Sequence, residues 1–387
     1  MAIQVHNRVT LTLALLMTAA LTTLPFLNWA PNRLVSGQPV ALAQIADGVG
    51  WWLLLPAFLL MLLAFLPQRR AGLALTLACS ETLFVAMVAA GGFAAASLAQ
   101  QGHPLARTSY GGGFWLASAL ALLIATDAIG RATQNAMWRL LLNAQIWLPI
   151  VFLLLSGQLD ALSLLKEYAN RKEVFDEALS RHLLILGGTL LPALLIGVPL
   201  GWYCCRRPGI QSSVFTTLNI IQTVPSVALF GLLIAPLSGL AREFPALATL
   251  GISGIGMAPA LIALVLYALL PLVRSVVAGL QNVPDAAIET AQGMGMSRGQ
   301  IFRKVEVPLA LPVLLAGLRV TAVQTIGMAV IAALIGAGGF GAVIFQGLLS
   351  SALDLVMLGV IPVIALAVGV DALFKLLLSL PGNKTSD

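Results

Sequence analysis

Apolar side chains crowd the chain into ten long stretches, roughly 9–30, 51–66, 71–99, 112–130, 138–157, 183–204, 212–238, 245–278, 309–337 and 355–379, separated by short polar breaks. About 20 such residues in a helix cross the roughly 30 Å of bilayer hydrocarbon. The pattern therefore predicts an all-α polytopic membrane protein with about ten transmembrane helices. The first stretch is too long for the apolar region of a signal peptide, and the one A-x-A-like site, Ala41–Ala43, lies well past its end.

Composition sharpens this reading. The 387 residues are 59% hydrophobic and only 9% charged, with a mean hydropathy of +0.97, whereas soluble domains carry about 25% charge. Soluble enzymes, nucleic-acid binders and disordered scaffolds are excluded on that ground. The net charge of +6 is dispersed at the ends of apolar runs. With the N-terminus inside, alternate loops hold Arg8, then Arg69 and Arg70, Arg131 and Arg139, Arg206 and Arg207, Arg298, Arg303 and Lys304, and Lys375 and Lys384. The opposite loops hold Arg33, Arg107, Arg242 and the segment 158–182, where four cations face five carboxylates. Cations on one side of every second loop mark the cytoplasmic face. Both termini are thus expected in the cytoplasm. Cys79, Cys204 and Cys205 have no metal-ligand spacing.

The longest charged stretch divides the chain into an N-terminal membrane extension of about five helices (1–157), an extracytoplasmic linker (158–182), a core (183–380) and a cytoplasmic tail (381–387). No repeat relates the halves. The most patterned loop, 283–308, lies in the core. Pro284 and Asp285 suit a helix start, and Gly293 and Gly295 end that helix. Ser297 and Gln300 form a capping box for a second helix, and Pro308 marks the entry to the next span. Ile288, Met294, Met296 and Phe302 are left for a partner. Composition alone equally fits an amphipathic loop resting on lipid headgroups.

Glu289-Thr290-Ala291, then Gly295, nine residues, and Val305-Glu306-Val307-Pro308 resemble the E-A-A, G, I-x-L-P coupling motif of ABC importer permeases. The departures are Thr290 for the second residue, Val305 for Ile and Val307 for Leu. Asn219-Ile220-Ile221-Gln222-Thr223-Val224-Pro225-Ser226-Val227-Ala228-Leu229-Phe230-Gly231 resembles a signature of the permeases that import osmoprotectant quaternary amines such as glycine betaine, choline and carnitine. Leu266–Arg274 and Ile335–Gly341 are similar to further parts of that family. The resemblance covers about 180–380, and the N-terminal extension resembles that of the YehY-type glycine betaine permeases. It implies a type I permease core whose loop docks on a separate ATP-binding cassette ATPase. It also implies a periplasmic or extracellular substrate-binding protein and a second permease subunit or a second copy of the chain. The chain itself lacks G-x-x-x-x-G-K-[ST], so ATP and Mg are expected on the partner ATPase, with no cofactor, metal, catalytic residue or nucleic acid on this chain.

Polar residues inside apolar runs are functional candidates by default. Asn219, Gln222, Thr223, Pro225 and Ser226, joined by Gln324 and Thr325, either line the translocation path or satisfy backbone freed at Pro225. Arg319 is expected to have a structural or gating role, since a permanent cation repels a quaternary ammonium. Glu81 and Asp127 are expected to be structural, pairing across helices or sitting close to an interface, where Asp127 falls four residues before Arg131. Gly336, Gly338, Gly339 and Gly341 are expected to turn the chain at the outer surface, where a binding protein would dock. An ion-gradient-driven transporter leaves loop 283–308 unexplained, and a membrane enzyme lacks convergent groups, His6, His103 and His182 lying at span ends or in loops. An importer permease for another small polar solute, such as an amino acid, stays open.

Overall fold

The computed structural model describes residues 5–32, 35, 37–67, 69–101, 106–249 and 251–379; Arg33, His103, Lys384 and the tail 381–387 lie outside the described residues. The chain forms two compact units, Met1–Asn170 and Arg171–Asp387. Their boundary falls inside 158–182, a segment that is mostly helix.

In the first unit, α1 (Arg8–Thr23) starts at Asn7, whose side-chain oxygen accepts the Thr10 N–H at 3.1 Å. It is followed by α2 (Leu54–Leu63), α3 (Arg70–Gln101), α4 (Gly112–Ala132), α5 (Ala136–Gln145), α6 (Trp147–Leu155) and α7 (Ser163–Asn170). Three short strands, β1 (Leu27–Ala30), β2 (Gln38–Val40) and β3 (Arg107–Tyr110), form an antiparallel sheet in the order β2-β1-β3. Leu27 pairs with both Val40 and Tyr110. The core gathers Met17, Leu21, Phe26, Leu60, Leu83, Met87 and Ile124, and the Tyr110 ring stacks on Phe114 with centroids 3.6 Å apart. Lys166 donates to the Ala106 carbonyl at 3.2 Å. Burial, with the Arg107 charge nearby, lowers its pKa.

The two carboxylates singled out in the apolar runs of this unit are paired. Glu81 accepts two hydrogen bonds from the Gln145 amide, at 3.0 and 2.8 Å. Asp127 accepts from Arg131 at 2.9 Å and from Asn7 at 3.2 Å.

In the second unit, α8 (Lys172–Arg206), α9 (Pro208–Thr223), α10 (Ser226–Glu243), α11 (Pro245–Thr249) and α12 (Met257–Gln281) lead to α13 (Asp285–Gly293) and α14 (Arg298–Ile301). A π-turn (Phe302–Glu306) then joins α14 to α15 (Val307–Ile331), before α16 (Phe340–Leu349) and α17 (Leu353–Ser379). α12 is the most enclosed of these helices, with 67% of its apolar window buried. Small residues let its neighbours approach closely: at Gly317 of α15, an added Cβ would lie 2.2 Å from that of Ser275.

Among the described residues, eight helices are long and apolar enough to cross a membrane, against the expected ten. The stretches 9–30 and 51–66 hold helices of only 16 and 10 residues. Leu27–Ala30 leaves the helical path to pair in the sheet, and Ala46–Leu53 winds as a tighter 3-10 turn. Stretch 212–238 is two helices, and 245–278 is continuous helix only from Met257. Pro308 does not begin a span, because the helical run continues unbroken from Arg298 to Ile335. Just before Pro308, which has no N–H to give, the bonding shifts by one residue and Val307 N–H reaches the Phe302 carbonyl.

Candidate functional site

Residues 284–308 form an exposed helical elbow. Pro284, at φ −61°, immediately precedes α13, and Asp285 sits in its first turn, where a carboxylate complements the helix dipole. The helix ends in two crossing hydrogen bonds: Met296 N–H to the Ala291 carbonyl at 3.1 Å, and Gly295 N–H to that of Gln292 at 2.9 Å. This paired closure is a Schellman motif, whose turning residue is left-handed; Gly295 supplies it at φ +77°. Ser297 and Gln300 then form the expected capping box, with 2.8 and 3.4 Å bonds.

Glu289 and Thr290 are exposed, the Thr290 hydroxyl donating to the Ala286 carbonyl at 2.7 Å, whereas Ala291 is buried. Val305 is half-buried, and Val307 and Pro308 are exposed. Met294 is 65% exposed, Ile288 and Met296 are half-buried, and Phe302 packs edge-on against Trp202 of α8. Glu306, largely buried, pairs with Arg206 at 2.7 Å. α8 thus braces the base of the elbow and leaves its tip uncovered. The Arg206 side chain is half exposed, so solvent screens the pair and it contributes roughly 0–1 kcal/mol; Glu306→Gln is expected to leave the amount of chain in the membrane within about two-fold of wild type by immunoblot.

The second cluster surrounds a helix break. α9 ends at Thr223 and α10 begins at Ser226, with Val224 and Pro225 extended between them. α12 carries its own interruption, Pro271, which cannot donate to the carbonyl of Tyr267 one turn earlier. The two defects repair each other. The Gln222 amide donates to the Tyr267 carbonyl at 2.9 Å, and the Tyr267 hydroxyl donates to the Val224 carbonyl. A third bond, Arg274 Nη2 to Asn219 Oδ1 at 2.7 Å, lies alongside. The Thr223 hydroxyl returns to the Ile220 carbonyl at 2.7 Å; Thr223 and Pro225 are exposed and Ser226 half-buried.

Gln324 and Thr325 do not share a face. Gln324 is exposed, with a long 3.6 Å contact to the Met328 sulfur, whereas Thr325 is buried with its hydroxyl on the Thr321 carbonyl at 2.8 Å. Adjacent helical positions point about 100° apart, so Thr325 turns into the helix packing while Gln324 stays exposed. Arg319 pairs with Asp371 of α17, a carboxylate absent from the sequence-level candidates although it stands inside an apolar stretch. Gly336, Gly338 and Gly339 turn the chain from α15 into α16 at φ +82°, +81° and +74°, while Gly341 already lies inside α16. His182 lies inside α8, wholly buried beside Gly339. No cluster among the described residues has the makings of a metal site.

The family model for the N-terminal domain of the ABC transporter permease YehY matches residues 7–165. The model for the binding-protein-dependent transport system inner membrane component matches 194–379. The osmoprotectant import permease protein OsmW of Salmonella typhimurium is 37% identical over 49% of this chain and 84% of its own length. The carnitine transport permease protein OpuCB of Listeria monocytogenes is 38% identical over 51% and 83%. The choline transport system permease protein OpuBD of Bacillus subtilis is 33% identical over 54% and 86%. A chain of the inward-facing MetNI methionine ABC transporter has a TM-score of 0.45 and 23% identity, covering 54% of this chain and 97% of that one. This is a multi-pass membrane transport permease. The chain belongs to the family of binding-protein-dependent transport system inner membrane components.

Proposed function

We propose that this chain is the membrane-spanning permease of an ATP-driven importer that translocates a quaternary-ammonium osmoprotectant such as glycine betaine, carnitine or choline. The observation that carries the importer reading is the uncovered elbow at 285–297. Its turn is fixed by a Schellman motif, its tip exposes Glu289 and Met294, and its base runs without interruption into α15. A rigid convex handle of this kind suits docking into a cleft on a soluble motor. A separate ATP-binding cassette ATPase fills that role and uses the ATP and Mg. The elbow and both termini then face the cytoplasm, in line with the distribution of Arg and Lys.

The solute class rests on relatives named for osmoprotectant, carnitine and choline transport. Around the broken helix, Asn219, Gln222, Thr223, Pro225 and Ser226 bring backbone carbonyls, amides and hydroxyls to one place, with Gln324 as a further lining candidate. Neutral amides, hydroxyls and carbonyls of this kind suit a small polar solute, with the Arg274 cation held to one side by Asn219 Oδ1. An external substrate-binding protein supplies the affinity and docks near the turn 336–339, and a second permease core completes the path.

Co-purification of the full chain with its ATPase, followed by assay of ATP hydrolysis in lipid vesicles with the binding protein, tests the reading. Glycine betaine is expected to stimulate hydrolysis several-fold. Stimulation by an amino acid and by no quaternary amine would replace the solute class; the absence of any ATPase in the purified complex would remove the importer reading.

A further inference from the structure

The helical run that begins at the elbow carries one guanidinium deep in its apolar length. Arg319 lies thirteen residues beyond Glu306, about 20 Å along the helix axis. Its Nε donates to Asp371 Oδ1 on α17 at 2.5 Å, and the other carboxylate oxygen accepts from Lys375 Nζ, one turn further along α17, at 2.7 Å. Both oxygens are engaged, one by Lys375 from the same helix and one by Arg319 from α15. The Arg319 and Asp371 side chains are 34% and 27% exposed, so the pair is not sealed in a core.

We propose that Arg319, Asp371 and Lys375 are positioning residues forming the joint through which displacement of the elbow reaches α17 and, through it, α16; this rests on the permease reading above. A static brace between two apolar helices needs no charge, because replacing an ion pair by well-packed apolar residues is often neutral for stability. An ion pair in an apolar span does something packing does not. Separating it leaves the Arg319 guanidinium, inside the apolar stretch 309–337, without its counter-charge, so α17 follows as a unit until another arrangement satisfies it. α16 and α17 pack on one another, with Ile344 of α16 against Gly359 of α17. A pull on Asp371 is thereby carried to the hairpin that follows the turn 336–339. No solute need touch the triad for this.

The test uses the full chain, with its three cysteines replaced, assembled with its ATPase in lipid nanodiscs. Spin labels at Leu349→Cys on α16 and Ile262→Cys on α12, both exposed positions, report the distance with and without trapped ATP. Wild type is expected to show a nucleotide-driven change. Asp371→Asn should bind the ATPase normally yet reduce that change at least five-fold, and Asp371→Glu should keep more than half of it. A full change in Asp371→Asn overturns the proposal. If Asp371→Asn does not assemble, the paired variant Arg319→Leu with Asp371→Leu replaces it. Assembly with the change lost supports the joint, whereas assembly with the change intact, or failure of this variant also to assemble, overturns it. The measurement needs no solute. A wild-type complex that moves but is not stimulated by glycine betaine therefore sinks the solute reading and leaves the joint standing.

Discussion

Gly295→Val is expected to lower solute uptake at least ten-fold while leaving the chain in the membrane. The Schellman closure of α13 requires a left-handed residue, and Gly295 sits at φ +77°. A side chain there costs about 1–2 kcal/mol, and more when it is β-branched; about 1.4 kcal/mol is already a factor of ten in the population of the formed turn. A Cβ at this position meets nothing within 4 Å, so packing adds nothing and the effect isolates backbone geometry. A graded series follows. Gly295→Asn, which tolerates the left-handed region, should retain more than half of the uptake, Gly295→Ala should be intermediate, and valine should be worst. Radiolabelled glycine betaine uptake, read beside the amount of ATPase co-purified, checks the order. Equal uptake across the series would show that the elbow's shape does not matter to transport.

Tyr267→Phe is the second large effect, because one hydroxyl bridges two helix defects. Removing it strands the Val224 carbonyl at the α9–α10 break; an unsatisfied buried polar group costs about 1–3 kcal/mol. Gln222→Leu should have a similar effect from the other side, since it strands the Tyr267 carbonyl that Pro271 cannot serve. For a unit of this size each kcal/mol shifts Tm by about 2–4 °C, so either variant should unfold several degrees lower in detergent. The two bonds join the same two sites, so the double variant should lose less than the sum of the singles. Strict additivity would mean that the bonds act independently and that the break and the kink are not one assembly. Uptake should fall in both single variants even below the new Tm, because the break is held in a different place.

Much of the elbow was legible before any coordinates. Asp285, Gly293, Gly295, Ser297 and Gln300 act through local backbone chemistry, over three or four residues, and the capping box and left-handed turn stand where their spacing put them. The apolar stretches likewise marked where α3, α4, α8, α12, α15 and α17 run, because a helix in lipid must be apolar along its length whatever it packs against. The strands of the first unit were not legible. Each is three or four residues long and is stabilised by partners 9 to 83 positions away.

The sequence by itself determined that the chain is a helical membrane protein and what form the elbow takes, and its loop charges carry the proposed sidedness. These follow from hydropathy, from charge and from contacts between near neighbours. Tertiary structure alone decided that Gln222 and Tyr267 repair each other's helices, that Thr325 turns inward while Gln324 does not, and that Asp371 answers Arg319 across 52 positions. Those facts depend on which helix faces meet, and a one-dimensional pattern of apolar residues in lipid leaves rotation about each helix axis nearly free until packing and hydrogen bonding select one.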